Sequence, residues 1–199
     1  MRFHHDPSSI LVFDCEARPT AWISGDFVGK SITAAAWSWL GGEEVYSRVL
    51  VRSDLSTAPI LSPFLEDLKH ADIVVGHFIR GFDLPLISAD LERLGWEPLD
   101  PLLTIDTKSD RLTTLGLSES LGNLVSRYEV GHEKMPMTEP QWEEHNLWQT
   151  DRSVQWVRER VESDVVANKA LFIELSEEDR LKPPKVWDPA GAKMPRYRS

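Results

Sequence analysis

The sequence predicts an α/β protein built on a mixed sheet of about five strands, the first three antiparallel, with helices on both faces. The first observation is a set of short β-favouring runs near the N-terminus, beginning with ILVF at residues 10–13. The second is an alternation of helical and strand-like patterns over residues 59–106, and the third is a long amphipathic pattern over residues 152–175. Strands followed by alternating helices and strands indicate a sheet covered by helices.

The three N-terminal strands are predicted to form an antiparallel meander. The first is followed by a longer loop at residues 17–30, and the next two, at residues 33–40 and 45–51, flank Gly41 and Gly42. Because paired glycines supply the positive φ that a tight hairpin requires, the second and third strands are predicted to be neighbours in the sheet.

The remaining elements alternate between helix and strand. Leucines and valines at spacings of three and four predict the helices, and short apolar runs that end on a glycine or an acid predict the strands. In chain order, these are a helix at 59–69, a strand at 71–75, a helix at 82–94, a strand at 102–106, a helix at 118–128 and a helix at 152–175. Residues 129–150 show no clear period and are predicted to be irregular, with a short helix at 140–145.

The bulk composition is that of an ordinary globular domain, with 199 residues, 41% of them hydrophobic and 27% charged. We expect a polar lead at residues 1–9, one domain at residues 10–176 and a basic, proline-containing tail at residues 177–199. The apolar runs are far shorter than the roughly 20 residues of a membrane span, and the N-terminus lacks the apolar core of a secretory signal. A single cysteine agrees with a reducing compartment. These features predict a cytoplasmic protein without membrane contact.

The net charge of −10 argues at first against a nucleic-acid partner, because neutralisation of phosphates dominates such binding. The distribution of charge weakens that objection. The last twenty residues contain one acid, Asp188, and six basic residues. The basic residues are Arg180, Lys182, Lys185, Lys193, Arg196 and Arg198. A protein that holds metal ions also concentrates carboxylates, so the total charge does not exclude a polyanionic substrate.

Four acids lie where predicted strands and helices meet. Asp14 and Glu16 follow the first strand at a spacing of two, so extended geometry places both side chains on one face of the sheet and Cys15 on the other, as a packing residue. Asp83 begins a predicted helix, and Asp164 lies on the apolar face of the last one. A buried carboxylate is costly unless it is paired or binds a metal ion, and carboxylate oxygens are the ligands that Mg²⁺ prefers.

Three motifs together resemble the DEDD superfamily of 3′-to-5′ exonucleases. They are FDCEA at residues 13–17, GHFIRGFDLP at 76–85 and ESDVVANKALF at 162–172. The similarity is greatest to the proofreading domains of family-B DNA polymerases and to the stand-alone phage and bacterial proteins like them, and it spans about residues 10–176. The resemblance implies a ribonuclease-H-like fold, two Mg²⁺ or Mn²⁺ ions, and hydrolysis of DNA from a 3′ end, most simply a single-stranded one.

The resemblance also implies a role for each acid. Asp14 would bridge two metal ions, Glu16 and Asp164 would complete the first site, and Asp83 would hold the second ion through water. Asp106, at the end of a predicted strand, is either an outer-shell ligand or a cap of the strand end.

The chain departs from the family pattern at the residues that would activate water. Members place a tyrosine four residues, or a histidine five residues, before the last aspartate, and this chain has Arg160 and Glu159 there. Candidates for activating the water are Glu159, His132 and His145. An asparagine of the second motif is replaced by Phe78. Candidates for substrate contact are Phe78, Arg80, Lys134 and Arg160.

These departures leave alternatives open. The first is a catalytically impaired relative that binds nucleic acid or protein, and a weaker one is an endonuclease or junction resolvase on the same fold, because a fold does not fix a function. RNA also remains a candidate substrate, since no residue is predicted to read a 2′-hydroxyl. The oligomeric state is left open.

Overall fold

The computed structural model describes residues 6–19, 29–112, 118–132 and 134–191, with Pro19 described by its backbone alone. Its strands are β1 Ile10–Pro19, β2 Lys30–Trp39, β3 Tyr46–Val49, β4 Ile73–Gly76, β5 Leu102–Asp106 and β6 Lys185–Trp187. Its α-helices are α1 Ala58–Leu68, α2 Asp83–Leu94, α3 Leu121–Arg127, α4 Glu139–Trp148 and α5 Asp151–Glu177, and short 3₁₀ turns lie at Pro7–Ser9 and Pro189–Gly191.

The strands form one mixed sheet in the order β3-β2-β1-β4-β5-β6. The antiparallel pairing of β1 with β2 and of β2 with β3 confirms the predicted meander. Strands β4 and β5 run parallel to β1 on its other side. The carboxyl ends of β1, β4 and β5 therefore meet at one edge of the sheet, which is where open α/β sheets bind their ligands.

The sheet has a sixth strand where about five were predicted. Strand β6 pairs antiparallel with β5, and Thr104 Oγ1 donates a hydrogen bond of 2.8 Å to the carbonyl of Lys185. This strand lies inside the segment expected to be a tail. Its three residues stand between Pro184 and Pro189, and proline next to a short edge strand costs little because an edge has unpaired backbone groups anyway.

Strand β1 is longer than the apolar run that predicted it. It pairs with β2 as far as Pro19, so its acids lie within the strand rather than after its end. The loop predicted at residues 17–30 is wrong at both ends, because residues 17–19 belong to β1 and Lys30 begins β2; residues 20–28 lie outside the described part of the chain. Pairing continues past residue 13 because polar side chains on one face do not prevent the backbone ladder from extending.

The sheet is buried on both faces, as predicted. On one face, apolar residues of α1 and α2 pack against odd-numbered residues of β1 such as Leu11 and Phe13. On the other face, α5 packs against even-numbered residues such as Ile10 and Val12, and α3 and α4 pack against α5. None of the described helices combines the length and apolarity needed to cross a bilayer.

Candidate active site

Strand β1 directs its acids toward α5. Because the side chains of a strand alternate, Asp14 and Glu16 continue the series of even-numbered residues that faces this helix. Their partners across the β1–β2 ladder are Ala36 and Ala34, both fully buried. Methyl side chains beside the two carboxylates leave room for them between the sheet and the helix.

Helix α5 brings a third carboxylate to the same place. Asp164 lies on its buried face, one turn after Val161, and is 2% exposed. One oxygen from each of Asp14, Glu16 and Asp164 can be chosen so that all three atoms lie within 4.8 Å of one another. The Oδ1 atom of Asp164 is buried and has no hydrogen-bond partner among the described residues. An all-carboxylate set with an unpartnered buried oxygen fits a hard divalent cation.

The fourth carboxylate joins the site from α2. Asp83 is the first residue of this helix, and its Oδ1 accepts a hydrogen bond of 3.0 Å from the backbone N–H of Cys15. Burial raises the pKa of Asp83 to about 8, and the hydrogen bond from Cys15 partly opposes that rise. The contact fixes α2 against β1. Cys15 itself packs into the opposite core, where burial raises the pKa of its thiol well above the usual value.

Burial and mutual repulsion destabilise the charged forms of the acids. The pKa of Asp14 is raised well above its ordinary value, first by burial and then by the negative charges of Asp83 and Asp164. Burial likewise raises the pKa of Glu16, although the Arg160 guanidinium opposes it. A cation beside these carboxylates would relieve the repulsion that raises these pKa values.

Two basic side chains lie among the acids. Lys134 Nζ is 2.9 Å from Asp164 Oδ2, and Arg160 Nε is 3.1 Å from Glu16 Oε1 and 3.3 Å from Asp164 Oδ2. Arg160 lies one turn before Asp164 on α5, so its side chain reaches both acids. The structure therefore places these two predicted substrate-contact residues inside the acidic cluster.

The acids open onto a cleft of about 270 Å³. Phe78 lies on its wall with 41% of its surface exposed and a φ of 67°, a left-handed conformation that is unusual for an aromatic residue. Its ring lies over Gly81, where a Cβ would approach a ring carbon to 2.4 Å. Lys108 Nζ sits 4.0 Å from the centre of the ring. The cleft therefore combines an exposed aromatic face with a cation beside it.

His77 and Lys108 line the cleft although the sequence did not single them out. His77 Nδ1 lies 3.1 Å from Thr107 Oγ1, which in turn is 2.7 Å from Asn168 Oδ1. Burial lowers the pKa of His77 to about 4, so the ring is neutral at pH 7. The sequence feature that could have pointed to His77 is its position between Gly76 and Phe78 in the second motif.

Two other predicted residues stabilise the turns around the cleft. Asp106 accepts backbone hydrogen bonds from Phe78 at 3.0 Å, Lys108 at 3.0 Å and Ser109 at 3.1 Å, which is the geometry of a strand-end cap. Arg80 pairs with Asp110 at 2.7 Å and does not line the described cleft. Asp106 thus holds the backbone that carries the aromatic wall.

The three candidates for activating water lie away from the cleft in the described part of the chain. Glu159 accepts a hydrogen bond of 2.9 Å from Gln155, and His132 is exposed. His145 is fully buried, with Nε2 at 2.7 Å from Thr33 Oγ1. Burial, followed by the charge of Arg18, lowers the pKa of His145 to about 4.

Comparisons with known proteins give a match at the level of the fold. No protein-family model matches the chain, and a comparison with curated proteins gives no match either. Among solved structures, the chain is similar to that of the family B DNA polymerase from the hyperthermophilic archaeon Pyrobaculum calidifontis, with a TM-score of 0.60 and 17% identity. The match covers 83% of this chain and 24% of the polymerase chain. The predicted ribonuclease-H-like α/β fold is confirmed.

Proposed function

We propose that this protein is a divalent-metal-dependent 3′-to-5′ exonuclease that hydrolyses the phosphodiester bonds of DNA. The observation that carries the proposal is the convergence of Asp14, Glu16, Asp83 and Asp164 on one cleft at the carboxyl edge of the sheet. The three motifs that resemble DEDD exonucleases supply these four acids. The structural similarity to part of a family B DNA polymerase supports a function on nucleic acid.

The proposal assigns two Mg²⁺ or Mn²⁺ ions to the four acids. Asp14, Glu16 and Asp164 would hold one ion, and Asp14 with Asp83 the other. Bound there, two such ions would stabilise both the attacking and the departing oxygen of an in-line displacement. The backbone N–H of Cys15 orients Asp83 through its hydrogen bond to Oδ1.

The cleft wall supports a single-stranded 3′ end as substrate. Base stacking on an exposed aromatic ring is independent of sequence, and Phe78 offers such a ring. Lys108, beside that ring, is placed to contact a phosphate. The direction of hydrolysis and the preference for DNA rest on the family resemblance.

The test uses linear DNA and RNA labelled at either end, together with circular DNA, in Mg²⁺ or Mn²⁺, with Asp14→Asn as the paired variant. The wild type is expected to shorten the strand progressively from its 3′ end. The variant is expected to lose activity, because the shared ligand of both ions is gone. Progressive shortening of RNA instead would change the substrate class, and internal cuts in circular DNA would point to an endonuclease or resolvase.

A second candidate is a catalytically impaired module that binds nucleic-acid ends or protein. Arg160 favours it, because this residue replaces the usual tyrosine and is paired with two of the acids. This candidate predicts that labelled DNA is bound but stays intact in both metals. A DNA-shortening activity that Asp14→Asn removes would exclude it.

A further inference from the structure

Two of the basic side chains that line the cleft contact carboxylates that the proposed function assigns to a metal ion. Asp164 Oδ2 is contacted by Lys134 at 2.9 Å and by Arg160 at 3.3 Å, and Arg160 also contacts Glu16. Two positive charges at these distances oppose the entry of a divalent cation by direct repulsion. A cation that enters the site is therefore bound more favourably when the two side chains move away from the carboxylates.

The same side chains also secure a segment of backbone. Arg160 donates a second hydrogen bond to the carbonyl of Met135, and the N–H of Met135 donates to Ser163 Oγ at 3.3 Å. We call residues 134–137 the strap. It lies along α5 at the mouth of the cleft and leads to the cap of α4 at Thr138. Arg160 is thus shared between the acids and the strap.

Both side chains have a chemically matched alternative partner once the site is filled. A phosphate offers several strong acceptor oxygens, and a guanidinium binds such groups through two parallel hydrogen bonds. Lys134 and Arg160 both line the cleft that the scissile phosphate must enter. Lys134 is one-third exposed, so it can turn toward the mouth without crossing the core.

We propose, on the basis of the function proposed above, that Lys134 and Arg160 are exchangeable counter-ions. In the metal-free protein they hold the carboxylates of Glu16 and Asp164 in place. When divalent cations bind, the two side chains leave these oxygens and hold the phosphate of the DNA end. Arg160 then releases Met135, and the strap loosens.

This exchange predicts opposite effects on two ligands. Lys134→Met, made in the full chain, is expected to bind Mn²⁺ about tenfold more tightly by titration calorimetry, since a competing charge is gone; tenfold equals about 1.4 kcal/mol. In Ca²⁺, the same variant is expected to bind single-stranded DNA several-fold more weakly by fluorescence anisotropy. Arg160→Met should behave alike. Lys69→Met, at an exposed lysine outside the cleft, is the matched control.

Hydrogen exchange gives a second readout that does not depend on catalysis. Mn²⁺ is expected to speed exchange of the Met135 amide in the wild type, because Arg160 no longer anchors the strap. If Mn²⁺ leaves that rate unchanged, or if Lys134→Met binds Mn²⁺ no better than the wild type, Lys134 and Arg160 are not exchangeable counter-ions. If Lys134 had a purely structural role, Lys134→Met would bind both Mn²⁺ and single-stranded DNA more weakly. Thermal melting of each variant shows whether it still folds.

The same measurements separate the exchange of counter-ions from the exonuclease activity. If Asp14→Asn binds Mn²⁺ as well as the wild type does, the carboxylates are not the metal site. Both the exonuclease function and the exchange of counter-ions are then contradicted. If Mn²⁺ binding depends on Asp14 and the variants shift it as expected, but no DNA is shortened, only the exonuclease assignment falls. The calorimetry and the anisotropy then still support the exchange.

Discussion

Phe78 combines an unfavourable backbone conformation with an exposed aromatic ring. Its φ of 67° lies in the left-handed region, which costs a residue with a side chain roughly 1–2 kcal/mol. Two backbone hydrogen bonds to Asp106 hold the turn in which it sits, from its own N–H and from that of Arg80. Strain held by surrounding structure is typical of functional sites, and here it presents the ring to the cleft.

Phe78→Asn should separate stability from binding. Asparagine tolerates the left-handed region, so relief of backbone strain offsets the lost packing and the free energy of unfolding should change by less than about 0.5 kcal/mol. Affinity for single-stranded DNA in Ca²⁺ should fall by about 1–3 kcal/mol, because a stacking platform is lost. Urea unfolding and fluorescence anisotropy measure the two effects. Trp148→Ala, at an exposed aromatic outside this cleft, should leave affinity unchanged.

His145 makes the folded protein sensitive to mild acid. Its pKa is lowered to about 4 by burial, below the ordinary value of 6.5 that the unfolded chain restores. A base with a depressed folded pKa contributes stability above pH 6.5 and loses that contribution as the pH falls toward 4. The unfolded chain therefore binds a proton in this window that the folded protein excludes.

The variant His145→Gln should reduce the pH dependence of stability. Between pH 6.5 and 4, the wild type should lose up to about 1 kcal/mol of unfolding free energy per pH unit more than the variant does. Urea unfolding at several pH values gives both slopes, and His70→Gln, at an exposed histidine, is the control. Equal slopes for the wild type and the His145 variant would show that burial does not perturb this ring.

Among the elements, the turn after β4 depends on a residue without a side chain. A Cβ on Gly76 would lie 2.0 Å from Ile79 Cγ2 and 3.0 Å from the carbonyl oxygen of Phe13. The second neighbour is backbone of β1, the strand that carries the acids. The start of the turn that leads to Asp83 thus packs against β1 with no room for a side chain at this position.

Gly76→Ala should destabilise the protein by about 1–3 kcal/mol through overpacking. It should also weaken Mn²⁺ binding, since the turn that leads to Asp83 must shift away from β1. Gly42→Ala is the matched control, because a Cβ there meets its nearest neighbour at an ordinary 3.7 Å. Urea unfolding measures the stability of both variants, and calorimetry measures their Mn²⁺ binding. Equal stability of the two variants would show that a Cβ at Gly76 is accommodated without overpacking.

The elements also show what sequence patterns can predict and what they cannot. Sequence patterns identified β1 and α5, because an apolar run leads up to Asp14 in β1 and buried apolar residues stand on both sides of Asp164 in α5. Strand β6 has three residues and exists through its pairing with β5, so no local pattern announces it. The position of Lys134 was equally hidden, since it reaches Asp164 from an irregular segment through a contact distant in sequence.

For the whole molecule, the predicted fold class is confirmed and the four acids line one cleft, whereas net charge was a poor guide to the charges of that cleft. The chain carries a charge of −10, yet the described lining of the cleft includes the cations Lys108, Lys134 and Arg160. Charge summed over a surface does not show where opposite charges are placed. A negatively charged protein can therefore present a locally positive path for a phosphate chain once its acids hold cations.

This arrangement predicts a modest, metal-dependent salt sensitivity of DNA binding. Binding of single-stranded DNA should be weak in EDTA and stronger in Ca²⁺, because without a metal ion Lys134 and Arg160 stay paired with the acids and do not reach the phosphate. In Ca²⁺, we expect three contacts between basic side chains and phosphates. Each contact contributes about −0.7 to the slope of log affinity against log salt concentration, so the total slope is about −2. Lys108→Met should make the slope shallower by about 0.7, whereas Lys69→Met should not change it. Fluorescence anisotropy over a range of KCl concentrations measures the slopes, and a slope that Lys108→Met leaves unchanged would show that Lys108 does not contact the phosphate chain.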